Sequence, residues 1–120
     1  MSERKSILKD KSFLFAIRIV RLYQQLTEMK KEYVISKQLL RSGTSIGALV
    51  REAQNAESSK DFIHKLSISQ KECDESVYWL ELLKATEYIN EQEFESLNID
   101  VIELLKMLRS SIITSKQNHS

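Results

Sequence analysis

Proline is absent from this chain, and glycine occurs only at Gly43 and Gly47. Hairpins and tight β-turns usually draw on both residues, so their scarcity strongly favours an all-helical fold. The single cysteine, Cys73, has no internal disulfide partner and fits a reducing compartment. No apolar run approaches the ~20 residues of a membrane span. The opening Met1-Ser2-Glu3-Arg4-Lys5-Ser6 leads into no uninterrupted apolar segment of signal-peptide type. A cytoplasmic protein without membrane contact is the expectation. An excess of one charge is missing too, since 18 basic and 17 acidic residues leave a net charge of +1. Proteins that hold nucleic acid mainly by neutralising phosphates show a clearer basic excess. Any such binding must therefore rest on a local patch, multiplied by symmetry.

What the chain does have is helical periodicity along the whole of a single domain, residues 1–120. The first helix is predicted from about 12 to 30, with Phe15, Ile19, Leu22, Leu26 and Met29 on one face and Phe13, Ile17 and Val20 on another. Arg18, Arg21 and Gln25 lie between the two strips. A second helix, about 34–56, carries Leu39, Ile46, Val50 and Ala53 as its main stripe. Beside that stripe run Ser36, Leu40, Gly43, Gly47 and Gln54. Mid-helix glycine costs about 1 kcal/mol against alanine, so two of them four residues apart point to a helix packed very closely there, or else to a local kink.

Ser58 with Asp61 marks the start of a third helix, about 59–89. Phe62, Leu66, Cys73, Val77 and Leu80 form its core face, with Ser69 and Ser76 as small spacers. Ile68, Trp79 and Leu82, flanked by Glu72 and Glu75, fall on a different side. Asn90 and Glu93 resemble a capping box, opening a fourth helix at about 91–115 whose stripe is Phe94, Leu97, Val101, Leu104, Leu105, Leu108 and Ile112. Residues 116–120 read as a frayed polar tail. Short connections between long helices imply an antiparallel up-down-up-down bundle.

Two apolar faces on one helix need two burial partners. In a chain this short the second partner is expected to be another copy of itself. The candidate oligomer interface comprises Leu40, Gly43 and Gly47 on the second helix and Ile68, Glu72, Glu75, Trp79 and Leu82 on the third. A tryptophan with aliphatic neighbours on the back of a helix is the strongest mark of such a contact.

Catalytic chemistry is hard to assemble. Di-iron bundles use glutamates and Glu-x-x-His pairs on facing helices, and the nearest match, Asp61 with His64, has aspartate instead and no second copy. Cys73 lies on a core stripe, where cysteine behaves as a small hydrophobe. Neither His64 nor His119 is placed as its base. The arginine and histidine five residues apart of small helical ribonucleases do not occur, nor does a phosphate loop or serine triad. No enzyme, metal, cofactor or small-molecule substrate is expected.

Basic side chains remain. Lys37, Arg41 and Arg51 share the outward side of the second helix, and Arg18 and Arg21 form a pair on the first. Such groups are commonly the solvated side of a helix. As a functional feature they suit phosphate contact, repeated by several subunits. Aromatic residues do not interleave with these bases as on a stacking platform, so backbone-directed, largely sequence-tolerant binding is expected.

Gln38-Leu39-Leu40-Arg41-Ser42, then Ser45-Ile46-Gly47-Ala48, Arg51-Glu52-Ala53, Ser58, Asp61-Phe62 and Lys65-Leu66-Ser67-Ile68 form a pattern. Lys71-Glu72, Glu75 and Tyr78-Trp79-Leu80-Glu81-Leu82-Leu83 extend it. This pattern resembles the bacterial four-helix bundle proteins, also known as 23S rRNA intervening-sequence proteins because some are encoded within insertions in that gene. Leu49 departs from it, standing where many members have asparagine, so no site is assigned there. The resemblance implies a four-helix bundle assembled into a ring, usually a pentamer. A related accessory protein of diversity-generating retroelements is thought to bind nucleic acid and a reverse transcriptase. The expected function is a non-enzymatic homo-oligomeric bundle that binds RNA or serves as an accessory scaffold. The alternative is a protein-interaction scaffold with no nucleic-acid role.

Overall fold

The computed structural model describes residues 3–118. They form four helices, α1 (Glu3–Glu28), α2 (Ile35–Gln54), α3 (Ser59–Ala85) and α4 (Glu91–Asn118), packed into a rod of 48 × 21 × 21 Å. No strand occurs among the described residues. The expected stripes converge on one axis. Phe15, Ile19, Leu22 and Leu26 of α1 meet Leu39, Ile46, Val50 and Ala53 of α2, Leu66, Cys73 and Leu80 of α3, and six α4 residues from Leu97 to Ile112. Each helix packs on its chain neighbours, and α1 returns to α4. Along α1 and α2, Ile19 meets Gly43 and Ser12 meets Gly47. Along α2 and α3, Ser42 meets Ser76 and Ile46 meets Ser69. Between α1 and α4, Lys11 pairs with Glu103 and Arg18 with Asp100. In every pair one residue number rises as the other falls.

The two glycines have their partner inside the chain, which corrects their assignment to an oligomer interface. A Cβ on Gly43 would stand 2.9 Å from Cγ1 and 3.0 Å from Cγ2 of Ile19. Ile19 is fully buried and β-branched, so it has no spare rotamer. On Gly47 a Cβ would stand 3.3 Å from the Ser12 carbonyl oxygen and hydroxyl. Leu40 likewise packs against the core. The two glycines thus bring α1 and α2 together. Gly43→Ala is expected to destabilise the protein by about 1 kcal/mol, the cost of overpacking less the helix-propensity gain. Gly47→Ala should cost less than that. Urea denaturation of both variants checks the ranking, and equal stabilisation of both would remove the close approach.

Helix boundaries depart from expectation in four places. α1 begins well before residue 12. Ser12 is buried in mid-helix, its hydroxyl donating to the Lys9 carbonyl at 3.0 Å, a bond that satisfies a serine inside a helix. Met29 lies beyond the end of α1 and is 75% exposed, so it leaves the core stripe. α3 stops at Ala85 rather than 89, because Glu87 takes a left-handed backbone (φ 67°) and Tyr88 N–H bonds back to the Leu83 carbonyl at 2.9 Å. Buried Ile89 then covers that end. The expected tail is helical as far as Asn118, and His119 and Ser120 lie outside the described residues.

Two starts match the sequence. Ser58 accepts from the Asp61 N–H at 3.0 Å. Asn90 and Glu93 accept reciprocally from each other's N–H at 2.8 and 2.9 Å. The start of α2 does not follow that rule, because its cap position, Val34, has no side-chain acceptor. Glu32 reaches forward instead. Its carboxylate accepts from the N–H groups of Val34, Ile35 and Ser36 at 3.1, 2.8 and 2.7 Å.

Candidate nucleic-acid and assembly faces

The five candidate phosphate contacts do not form one patch. Arg18 is engaged across the bundle, where its guanidinium donates to the Ser96 hydroxyl at 2.7 Å and to the Asp100 carboxylate. It belongs to the α1/α4 seam, together with the Lys11–Glu103 pair. Arg21 is exposed, near Gln25 and Leu97. Lys37, Arg41 and Arg51 are all exposed on α2, which places three of the five along one side of one helix. Arg41 faces Glu75 of α3 at 3.8 Å. Lys37 forms no ion pair among the described residues.

Arg51 has a partner that periodicity along single helices did not reveal. Its guanidinium carbon lies 5.0 Å from the centroid of the Phe13 ring, within reach of a cation–π contact. The pair joins α1 to α2 one turn beyond Gly47, where the missing Cβ lets the helices approach. Phe13 remains 50% exposed. An aromatic ring therefore does accompany the basic row, from the adjacent helix. The expectation that none would do so fails because the pairing is between helices.

The second face of α3 borders α2. Trp79 packs partly against the core, with Tyr78 edge-on at 4.9 Å. Its buried Nε1 has no hydrogen-bond partner among the described residues. Ile68 and Leu82 are half-buried. Burial first, then the hydrogen bond and charge of Glu75, push the Glu72 carboxyl above its ordinary value, against the pull of Ser45 and Arg41. Arg41 and Glu75 thus tie the basic side of α2 to the acidic side of α3. Large apolar residues that the stripes did not single out are also exposed. Leu14 is one of them, 59% exposed, and Ile99 and Ile113 are two more.

Little here resembles a reaction centre. Burial, followed by the charges of Asp74 and Glu72, pushes the Cys73 thiol up to about 12, far from the thiolate that a nucleophile requires. His64 is exposed. Among the described residues no three His, Cys, Asp or Glu side chains converge as a metal site requires. The recess in the α1/α4 seam, about 140 Å³, is lined by Lys11, Leu14, Phe15, Asp100, Glu103 and Leu104, and its charged groups are already paired. No described helix is long and apolar enough to cross a membrane.

The family model of the 23S rRNA-intervening sequence protein matches residues 4–110. The chain belongs to that family. It is also similar to the crystal structure of a protein of unknown function from the S23 ribosomal protein family of Bacteroides thetaiotaomicron VPI-5482. The two are 55% identical, with a TM-score of 0.90 over 91% of this chain and 97% of that one. No match is found among curated proteins. In this member of the 23S rRNA-intervening sequence family, the matched span holds every residue of the α2 basic row and of the α3 back face.

Proposed function

We propose that this chain is a non-enzymatic cytoplasmic scaffold. Its antiparallel up-down-up-down bundle assembles into a homo-oligomeric ring, a pentamer in the family's usual arrangement, and presents Lys37, Arg41 and Arg51 to RNA. The observation that carries this reading is the row itself: three exposed cations on one side of α2, two of them ten residues apart and so roughly 15 Å along the axis. One chain offers too few such contacts for tight binding at a net charge of +1, and repetition around a ring supplies avidity without any new contact. Assembly through the outer flank of α3, by Ile68, Glu72, Glu75, Trp79 and Leu82, is supported by the unpartnered Trp79 Nε1, which would find an acceptor across an interface. Exposed Leu14, Ile99 and Ile113 also favour burial by another copy.

The experiment is light scattering of the purified protein with absorbance followed at 260 and 280 nm across the same peak. A species several times 14.0 kDa carrying excess 260 nm absorbance is expected. Charge reversal of Arg41 and Arg51 together should then weaken RNA affinity about tenfold or more at low salt, for all sequences alike, and flatten the salt dependence. Unchanged affinity would sink the phosphate mechanism. A protein-interaction scaffold without RNA is the second reading, favoured by the opposition of Arg41 to Glu75 and of Arg18 to Asp100. A clean oligomer whose binding ignores salt would support it.

A further inference from the structure

We infer that the α1/α2 face receives an unpaired RNA strand, with a base stacked on the Phe13 ring beside the Arg51 guanidinium and the adjoining phosphates running along α2 toward Arg41 and Lys37. This rests on the RNA reading above and adds the class of substrate, single-stranded rather than duplex.

Three features of the face carry the inference. First, Phe13 is a large aromatic side chain kept half in water, although the core stripe of α1 lies only two residues away at Phe15. Second, Arg51 covers part of that ring at 5.0 Å. Arg51 has no carboxylate partner among the described residues, so its charge is not cancelled locally. Third, the close approach at Gly47 and Ser12 fixes the two helices on which the pair stands. Aromatic rings and guanidinium planes are the groups on which exposed bases stack, and the part of the ring that Arg51 leaves uncovered is open to a base. Every base has such a face, so the contact tolerates any sequence.

A duplex keeps its bases stacked inside and offers this pair only backbone. From Arg51, Arg41 lies roughly 15 Å along the helix and Lys37 about 6 Å beyond it. That row gives a strand leaving the stacked base a line of cations to follow. Thr44, on the same side of α2, donates its hydroxyl inward to the Leu40 carbonyl at 2.7 Å. Recognition on this face is therefore stacking plus charge, not base-edge hydrogen bonding.

The test is fluorescence anisotropy of a short end-labelled oligoribonucleotide of mixed sequence, alone and annealed to its complement, with the full chain at low salt. The single strand is expected to bind more tightly. Phe13→Leu, which keeps the apolar surface and removes the ring, should weaken single-strand binding about tenfold and leave duplex binding unchanged. Phe13→Tyr should restore it. Arg51→Lys keeps the charge but not the planar stacking fork, and should weaken single-strand binding in the same sense by a smaller factor. Helicity and melting of each variant are measured alongside, and the Arg51 variant stands in if leucine at 13 perturbs folding. If Phe13→Leu and Arg51→Lys both bind the single strand like the parent while charge reversal at Arg41 and Arg51 weakens it, stacking is overturned and phosphate contact survives. If the parent binds neither strand, both readings fall.

Discussion

Glu32→Gln is expected to lower stability by about 2 kcal/mol near neutral pH and to flatten the response to acid. The figure follows from hydrogen bonds to a charged group, typically worth about 1.5–3 kcal/mol. The carboxylate uses one oxygen for the N–H groups of Val34 and Ile35 and the other for that of Ser36. Glutamine keeps one acceptor and turns an NH₂ toward the second site, setting donor against donor in a place where the side chain is 7% exposed. Burial by itself would raise the carboxyl's pKa. The bonds from Ser36 and Ile35, joined by Val34, outweigh burial and hold it below its ordinary value of 4.5. A folded pKa below the unfolded one stabilises the fold above the unfolded value and is lost as pH falls through the folded value. Thermal melts of both proteins should therefore differ most above about pH 5 and converge in stronger acid, below the ordinary carboxylate range. Parallel curves across that span would mean the carboxylate is not the cap.

That residue also shows where sequence reading stops. The starts of α3 and α4 were legible because Ser58 and the Asn90–Glu93 pair sit at the conventional cap positions, and their bonds are local. Glu32 caps α2 from ahead of the usual position, so no pattern of cap residues marks it. Turn sites were hidden for a related reason. Left-handed backbone usually advertises itself through glycine, yet here Lys31 and Glu87 adopt it at φ 56° and 67°. Core stripes were readable because period 3.6 survives in any packing arrangement. Partners between helices were not. The glycines announced a close neighbour without saying that it was α1. Arg18 carried no sign of Asp100, 82 positions away. Likewise Phe13 and Arg51, each read along its own helix as apolar strip and basic side, became one feature only when α1 and α2 were brought together. The candidate site was therefore half visible, in the row on α2 but not in the ring beside it.

Ser76→Leu is expected to have the largest effect on the fold, a loss of about 3 kcal/mol, at the upper end of what overpacking costs. Ser42 and Ser76 are fully buried and face each other across α2 and α3, hydroxyl to hydroxyl, at 2.9 Å. One heptad earlier on α3, buried Ser69 donates to the Ile46 carbonyl at 3.0 Å. Three small, buried polar residues thus line the seam between these helices, and each hydroxyl has a partner. Leucine puts three heavy atoms beyond Cβ where serine has one, a net addition of two to that seam. Beside it, Ile46, Cys73 and Leu80 are fully buried and have no solvent-side room to move. At this chain length the change in melting temperature is roughly 10 °C. Ser76→Ala separates size from polarity. It removes one hydrogen bond, but Ser42 keeps the Leu39 carbonyl at 3.3 Å, so a loss near 1 kcal/mol is expected. If alanine and leucine cost the same, the seam is held by the hydroxyl pair and is not tightly packed. A steep difference between them instead makes the close contact of α2 with α3 a determinant of the spacing between Arg41 and Glu75, and with it of how much of the basic row is left for a ligand.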